Sequence, residues 1–229
     1  MSEEQLGETE NRTCLEIGPG LGTLTSSLLK IFPRVVAVEY DERLAINLPK
    51  SFPGKNLEVI NQDFLKFKLD SIPGPYVIVG NIPYYITSPI IMKILEATNK
   101  PDRIVLLIQK EVAERITADV GEHSVLSLTV QNLSKASLGP VVKKELFTPA
   151  PKVDSQVIVL EPYKSAIVSD DVIKFVKNAF RMPRKKLSKN LSFFRKEAVE
   201  DAFNMLGLPE NVRPADLSLE EWKKLYQML

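Results

Sequence analysis

The chain has a single cysteine, Cys14, and a single histidine, His123. One thiol cannot build an internal disulfide framework, and the two residues together cannot supply the Cys/His sets that hold zinc, so no metal site is expected. Cys14 reads as a small core residue and His123 as a surface loop histidine. Long apolar runs are also missing, since no stretch reaches the roughly 18 to 20 residues that a membrane helix needs. The beginning shows neither a basic stretch followed by an apolar core nor an Arg-rich amphipathic segment. These absences lead to the expectation of a cytoplasmic protein with no membrane partner. No internal repeat and no low-complexity tract is visible.

What is present is enough for a full core. At 229 residues and 44% hydrophobic, the chain has room for one large domain and a smaller one. Its net charge of +1 conceals a polarised distribution. Residues 1–12 carry Glu3, Glu4, Glu8 and Glu10 without apolar periodicity, and read as a solvated leader with a disorder-prone composition. Between Lys174 and Lys196 the charged residues are Lys174, Lys177, Arg181, Arg184, Lys185, Lys186, Lys189, Arg195 and Lys196, with no acid among them.

From Thr13 the chain alternates strand, turn and helix. Thr13 to Ile17 runs into Gly18-Pro19-Gly20-Leu21-Gly22, and Thr23 to Ile31 follows with helical apolar spacing at Leu24, Leu28, Leu29 and Ile31. Glycines in such a turn let a ligand approach the backbone and leave amide N–H groups unobstructed. The dinucleotide fingerprint G-x-G-x-x-G is not met, because Thr23 stands at its final position, which favours a different adenosine ligand. A second strand, Arg34 to Glu39, ends in an acid about 20 residues after the glycines, where a ribose-binding carboxylate belongs. A third, Leu57 to Asp63, ends in an aspartate able to accept from an adenine amino group. Alone, either acid reads equally as a surface residue or a turn former.

The fourth strand is Val77-Ile78-Val79, which stops at Gly80-Asn81-Ile82-Pro83-Tyr84-Tyr85. Asn81 offers a carbonyl oxygen, and Pro83 biases Ile82 toward an extended backbone that can aim its own carbonyl the same way. Two convergent acceptors suit an exocyclic amino group, whose lone pair must leave the ring π-system before it attacks an electrophile. Tyr84 adds a ring face for stacking a flat base. A strand followed by a proline turn with core aromatics is the plainer alternative. The four strand ends together are more specific, because ligands of open parallel α/β sheets bind beyond the carboxyl ends of the strands.

These four strand ends resemble the Rossmann-like S-adenosylmethionine-dependent methyltransferases that modify amino nitrogens. Further segments narrow the resemblance: Gln109 to Ile116, Ser124 to Ser127 with Gln131, Phe147-Thr148-Pro149-Ala150-Pro151-Lys152-Val153-Asp154-Ser155, Arg184 to Leu191 and Arg213 to Ser218. From Thr13 to its end the chain is similar to the KsgA/RsmA family of ribosomal RNA adenine N6-dimethyltransferases. The resemblance implies an α/β fold, a Rossmann-like methyltransferase sheet over residues 13–163 and a small all-α C-terminal domain over residues 169–229, with 163–168 as a linker. It implies S-adenosylmethionine as cofactor, with Gly18, Gly20, Gly22 and Glu39 holding its methionine part and ribose and Asp63 its adenine. It implies Asn81, Ile82, Pro83 and Tyr84 as the catalytic tetrad, with Asn81 also near the cofactor and Phe147 completing a base sandwich with Tyr84. The partner would be ribosomal RNA in the small subunit, gripped through phosphates by Arg181, Arg184, Lys185, Lys186 and Lys189, with the chain acting as a monomer. The family's opening Gly-Gln-Asn-Phe-Leu segment and first helix, which fold over the cofactor, have no match in Met1 to Arg12.

Other readings stay open at this level. A related Asn-Pro-Pro-Tyr motif serves protein glutamine N5-methyltransferases, whose target is also a planar amino group. A non-catalytic ribosome-assembly or transcription factor on the same scaffold is another, and resistance-type 23S RNA methyltransferases share the tetrad. Helices are predicted at 88–98, 111–118, 125–133, 172–180, 187–194, 198–206 and 219–229, and late strands at 103–108, 135–147 and 155–161.

Overall fold

The computed structural model describes residues 3–7 and 9–229, so Met1, Ser2 and Glu8 of the acidic start lie outside the described residues. Among the described residues seven strands form one sheet: β1 (Thr13–Ile17), β2 (Arg34–Glu39), β3 (Leu57–Asn61), β4 (Tyr76–Asn81), β5 (Arg103–Gln109), β6 (Ser134–Val142) and β7 (Ser155–Pro162), in the order β3-β2-β1-β4-β5-β7-β6. The first five run parallel, and β7 and β6 close the sheet antiparallel. β1 is buried along its whole length and β4 over 76–80, so neither alternates between apolar and polar, and β1 is apolar but for Thr13 and Glu16. Strand order reverses between β1 and β4, and ligands of such sheets bind beyond the carboxyl ends of the strands at that reversal.

The helices are α1 (Glu3–Leu6), α2 (Thr23–Ile31), α3 (Glu42–Asn47), α4 (Thr87–Leu95), α5 (Lys110–Ile116), α6 (Val125–Leu133), α7 (Asp170–Ala179), α8 (Leu187–Asn190), α9 (Lys196–Leu206) and α10 (Leu219–Met228). Local chemistry sets their ends. Asp41 caps α3 by accepting from Arg43 N and Leu44 N, and Ser218 and Glu221 form a capping box at α10. Gly207, at φ 66°, ends α9. Among the described residues, no helix is long and apolar enough to cross a membrane.

Two compact units divide the chain, residues 1–113 with 134–162, and residues 114–133 with 163–229. The sheet unit has a core of Cys14, Leu28, Phe32, Val35, Val77, Val79 and Val105. Leu6 joins that core at 2% exposure. The Arg103 guanidinium donates to Glu4 O at 2.9 Å and Gln5 O at 3.3 Å and pairs with Glu161. Residues 4–6 are therefore docked where their charge suggested a solvated leader, because one leucine suffices to bury a short helix that periodicity does not reveal.

The helical unit packs Phe175, Phe180, Leu187, Val199, Phe203 and Leu225 around the fully buried Trp222. Leu128 of α6 belongs to this core, so 114–133, read from sequence as part of the sheet domain, packs with the helices. The 163–168 stretch, read as a linker, is bonded to the end of α6. Tyr163 N donates to Leu133 O at 2.9 Å, Ile167 N to Asn132 O at 3.1 Å and Val168 N to Asn132 Oδ1 at 2.7 Å.

Other expectations change for physical reasons. His123 is buried at 8% exposure with Nδ1 3.5 Å from Ser127 Oγ, and burial holds its imidazole below the ordinary pKa against the opposing pull of Asp119. The strand expected over 135–147 ends at Val142 and shifts register between Leu138 and Val141, where Pro140 has no N–H for the ladder. The helix expected over 187–194 stops at Asn190, after which Phe194 N bonds back to Leu191 O at 3.0 Å in a tight turn.

Candidate functional site

Strand register assembles the site before any side chain is considered. Ile17, the last residue of β1, pairs with Val38 on one side and Gly80 on the other. The next position along each strand is Gly18, Glu39 and Asn81, so these three stand in one row across the switch point, with Glu39 and Asn81 flanking the first glycine. Asn61 extends the row beside Glu39, and its Nδ2 donates to Glu39 O at 3.0 Å and Tyr40 O at 3.1 Å. Asp63 follows two residues later in a turn that its own Oδ1 stabilises by accepting from Leu65 N at 2.9 Å.

The glycine turn leaves this row with three left-handed residues, Gly18 at φ 63°, Gly20 at φ 56° and Gly22 at φ 86°. They differ in what surrounds them. A Cβ on Gly22 would lie 2.6 Å from Leu48 Cδ1 and 2.9 Å from Phe52 Cε2, so Gly22 is a packing glycine. A Cβ on Gly18 or Gly20 would meet no atom within 4 Å. Those two border open space, the cradle that close backbone approach to a ligand requires. Glu39, 7% exposed, joins the turn to the sheet by accepting from Gly20 N at 3.0 Å through Oε2 and from Asp41 N at 2.9 Å through Oε1. Each carboxylate oxygen retains a lone pair for a ribose hydroxyl. These residues fit an adenosine cofactor such as S-adenosylmethionine.

Sequence reasoning passed over Glu16. It lies in β1 two residues before Gly18, is 1% exposed, accepts from Thr25 Oγ1 at 2.7 Å through Oε2, and has no partner for the buried Oε1. Burial, and to a lesser degree the charge of Glu39, push its pKa from 4.5 up to about 7, against the stabilising Thr25 hydrogen bond. The available signal was an acid at an otherwise apolar buried strand position.

At the other flank, the side chain of Asn81 is exposed, Ile82 is buried at 2% exposure, and Pro83 leads into a short turn over Tyr84–Ile86. Gly80 is confined between Ile17 and Ile82, where a Cβ would stand 3.1 Å from each, so the tetrad begins from a rigid base. Tyr84 Oη is hydrogen-bonded to the buried Ser155 Oγ at 2.8 Å. The neighbouring residue, Asp154, ties down the Phe147 segment. It accepts from Lys143 Nζ at 2.9 Å and Lys144 N at 3.1 Å, while its carbonyl takes Lys110 N at 3.0 Å. Adjacent residues at the start of β7 thus hold both aromatic-bearing segments, and the Lys143 and Lys144 contacts draw the Asp154 carboxyl below its usual pKa.

The profile described as ribosomal RNA adenine dimethylase matches residues 3–229. The chain belongs to that family. It is 41% identical over 224 residues to the ribosomal RNA small subunit methyltransferase A of Mycoplasmopsis pulmonis, an alignment that covers 96% of this chain and 88% of that protein. Among solved structures, a dimethyladenosine transferase from Plasmodium falciparum matches with TM-score 0.83 at 28% identity, over 97% of this chain and 91% of that one. The 23S rRNA methyltransferase ErmE matches with TM-score 0.79 at 30% identity, over 99% and 94%. The fold is accordingly the Rossmann-like α/β methyltransferase fold. The family match starts at residue 3, so it reaches into the segment that the resemblance read from sequence left out.

In this family member the five basic residues expected to meet RNA, Arg181, Arg184, Lys185, Lys186 and Lys189, are all exposed and all lie in the helical unit. Arg184, Lys185 and Lys186 line a cavity of about 470 Å³ with Asn211, Arg213 and Asp216. Lys186 also pairs with Glu210 at 2.7 Å. Arg213 is a cation that the sequence reading of the basic run did not include, because the run ends at Lys196, and only folding brings residue 213 beside it.

Proposed function

We propose that the chain is an S-adenosylmethionine-dependent enzyme that dimethylates the N6 of adenosines in small-subunit (16S-type) ribosomal RNA during ribosome biogenesis, acting in the cytoplasm as a monomer. The observation that carries the reading is the strand-end row in which Glu39 and Asn81 flank Gly18 at the switch point. The greater similarity to proteins named small subunit methyltransferases than to ErmE favours the small-subunit RNA over 23S RNA.

Bound S-adenosylmethionine supplies a methyl group already activated by its sulfonium. The residues present account for its placement: Gly18 and Gly20 for close approach of the amino-acid part, Glu39 for the ribose hydroxyls and Asp63 for the adenine amino group. Asn81 Oδ1 and the Ile82 carbonyl accept the two N6 hydrogens of the target adenine, which directs the nitrogen lone pair out of the ring plane. Pro83 keeps Ile82 extended, and Tyr84 and Phe147 stack the extruded base, offsetting part of the cost of unstacking it from RNA. Orientation and exclusion of water then account for the rate, with no general base needed before transfer. The basic residues of the 169–229 segment hold phosphates and contribute affinity rather than sequence choice.

Incubation with radiolabelled S-adenosylmethionine and under-methylated small ribosomal subunits, beside naked RNA and a total-protein control, tests this directly. Labelled dimethyladenosine in the small-subunit RNA is expected, with Asn81→Ala lowering transfer far more than cofactor binding. Label in protein would replace the reading with glutamine methylation. Equal transfer by Asn81→Ala and the parent would remove the tetrad from the mechanism.

A further inference from the structure

The helical unit carries an aromatic ring that its core does not need. Phe193 is 62% exposed, although the neighbouring Phe194 is packed against the core. The two rings lie 4.6 Å apart between centroids at 40°, Phe194 meets Phe175 at 6.0 Å, and Phe175 meets Trp222 at 5.8 Å. Phe193 is thus the outer end of a chain of rings rooted in buried Trp222. Its backbone lies in a tight turn closed by Phe194 N donating to Leu191 O at 3.0 Å.

The surroundings of this ring are cationic. Lys189 stands four residues before it, and Arg195 and Lys196 follow within three. Asn190, the last residue of α8, ties the basic loop to that helix, accepting from Met182 N at 2.9 Å and donating to Met182 O at 3.1 Å. The loop that leads into Arg184 and Lys185 is thereby bonded to a residue three positions before the ring. Lys186 and Lys196 have carboxylate partners, whereas among the described residues Arg184, Lys185, Lys189 and Arg195 have none. An exposed π-face on a segment that carries Lys189 and Arg195 close in sequence matches a ligand that is itself planar and polyanionic. Single-stranded nucleic acid has both properties, because its bases are free to stack while its phosphates meet the cations. A duplex keeps its bases stacked on one another and offers only phosphate.

We propose that Phe193 is a stacking platform for one unpaired base of the RNA, next to the backbone held by the basic loop. This rests on the RNA reading above and adds a second point of base contact, in the helical unit, that selects an unpaired nucleotide rather than a sequence. Stacking on an aromatic side chain corresponds to an affinity change on the order of tenfold per base.

The test uses the full chain with a fluorescently labelled single-stranded RNA 12-mer and a blunt RNA duplex of the same length, each titrated at several salt concentrations. Phe193→Ala is expected to weaken single-strand binding roughly tenfold, leave duplex binding and the salt slope unchanged, and be rescued by Phe193→Tyr. Phe193→Trp should add an indole emission that single-stranded RNA quenches and duplex does not. Trp222 emission reports that the helical core is intact in the alanine variant. If the parent binds neither RNA, the RNA reading and the platform both fall. If the parent binds with a salt slope that Arg184→Ala reduces, but Phe193→Ala is indistinguishable from it, the RNA reading stands and the platform is overturned. Equal weakening toward the duplex, or full rescue by Phe193→Leu, also overturns it, since a mere apolar or protein-docking contact would behave that way.

Discussion

Replacing Glu16 by glutamine should change how the sheet unit responds to pH. The carboxyl is 1% exposed, and its pKa stands near 7 instead of 4.5, chiefly through burial. In the folded state it therefore holds its proton more tightly than in the unfolded chain. Its contribution to stability is fully present below 4.5 and is lost as the pH rises through about 7. The difference between those two values corresponds to about 3 kcal/mol. That is a large part of a net stability of about 5 to 15 kcal/mol. Glutamine preserves the shape and the acceptor for Thr25 Oγ1 but cannot ionise. Urea unfolding of parent and Glu16→Gln at pH 5, 6, 7 and 8 should give a stability difference that grows from about 1 kcal/mol at pH 5 to about 3 kcal/mol at pH 7 and then levels off, relative to its value below pH 4.5, with the change in favour of the variant. Groups common to both proteins cancel in that difference. The readout must come from the sheet, by amide exchange of β1 and β2, because the sole tryptophan, Trp222, lies in the core of the helical unit. Parallel curves across the whole range would refute the account of a proton held by burial.

Three further outcomes follow from the geometry. Gly22→Ala should cost about 2 to 5 kcal/mol, combining a left-handed backbone with overlap on Leu48 and Phe52, whereas Gly20→Ala should cost only about 1 to 2 kcal/mol and mainly weaken binding of S-adenosylhomocysteine by calorimetry; the opposite order would contradict the open cradle. Tyr84→Phe loses the hydrogen bond to Ser155 Oγ and leaves a buried hydroxyl unpaired, for about 1 to 3 kcal/mol in denaturant midpoint, while keeping more methyl transfer than Tyr84→Ala. Leu6→Ala should lower the stability of the sheet unit by about 2 to 5 kcal/mol, and a change under about 0.5 kcal/mol would show that the acidic start is not part of the core.

Much of this molecule was legible along the chain because its determinants are local or periodic. Buried parallel strands write themselves as β-branched runs, as in Val35 to Val38 and Val77 to Val79, and turns after them as glycine and proline. Glu39 and Asn81, which end β2 and β4, and Asp63, which lies two residues beyond the end of β3 rather than at it, could be named for the same reason. The ligand site of such a sheet lies at strand ends, and each end is visible as a break in an apolar run. The all-helical tail was visible too, through its caps and its proline and glycine stops.

What only the tertiary structure decided depends on contacts between distant residues. Register, not sequence, sets Glu39 and Asn81 on either side of Gly18. The pairing of Tyr84 with Ser155 spans 71 positions, and Arg213 reaches the basic cavity across 27 residues from Lys186, so no local pattern records either. Burial separates the three glycines of one turn into a packing residue and two cradle residues, and it gives Glu16 a proton affinity that its strand position alone does not disclose. Docking of Leu6 and His123 was hidden for the same reason: a lone side chain has no periodicity, and its burial is fixed by the surface that folding brings to it.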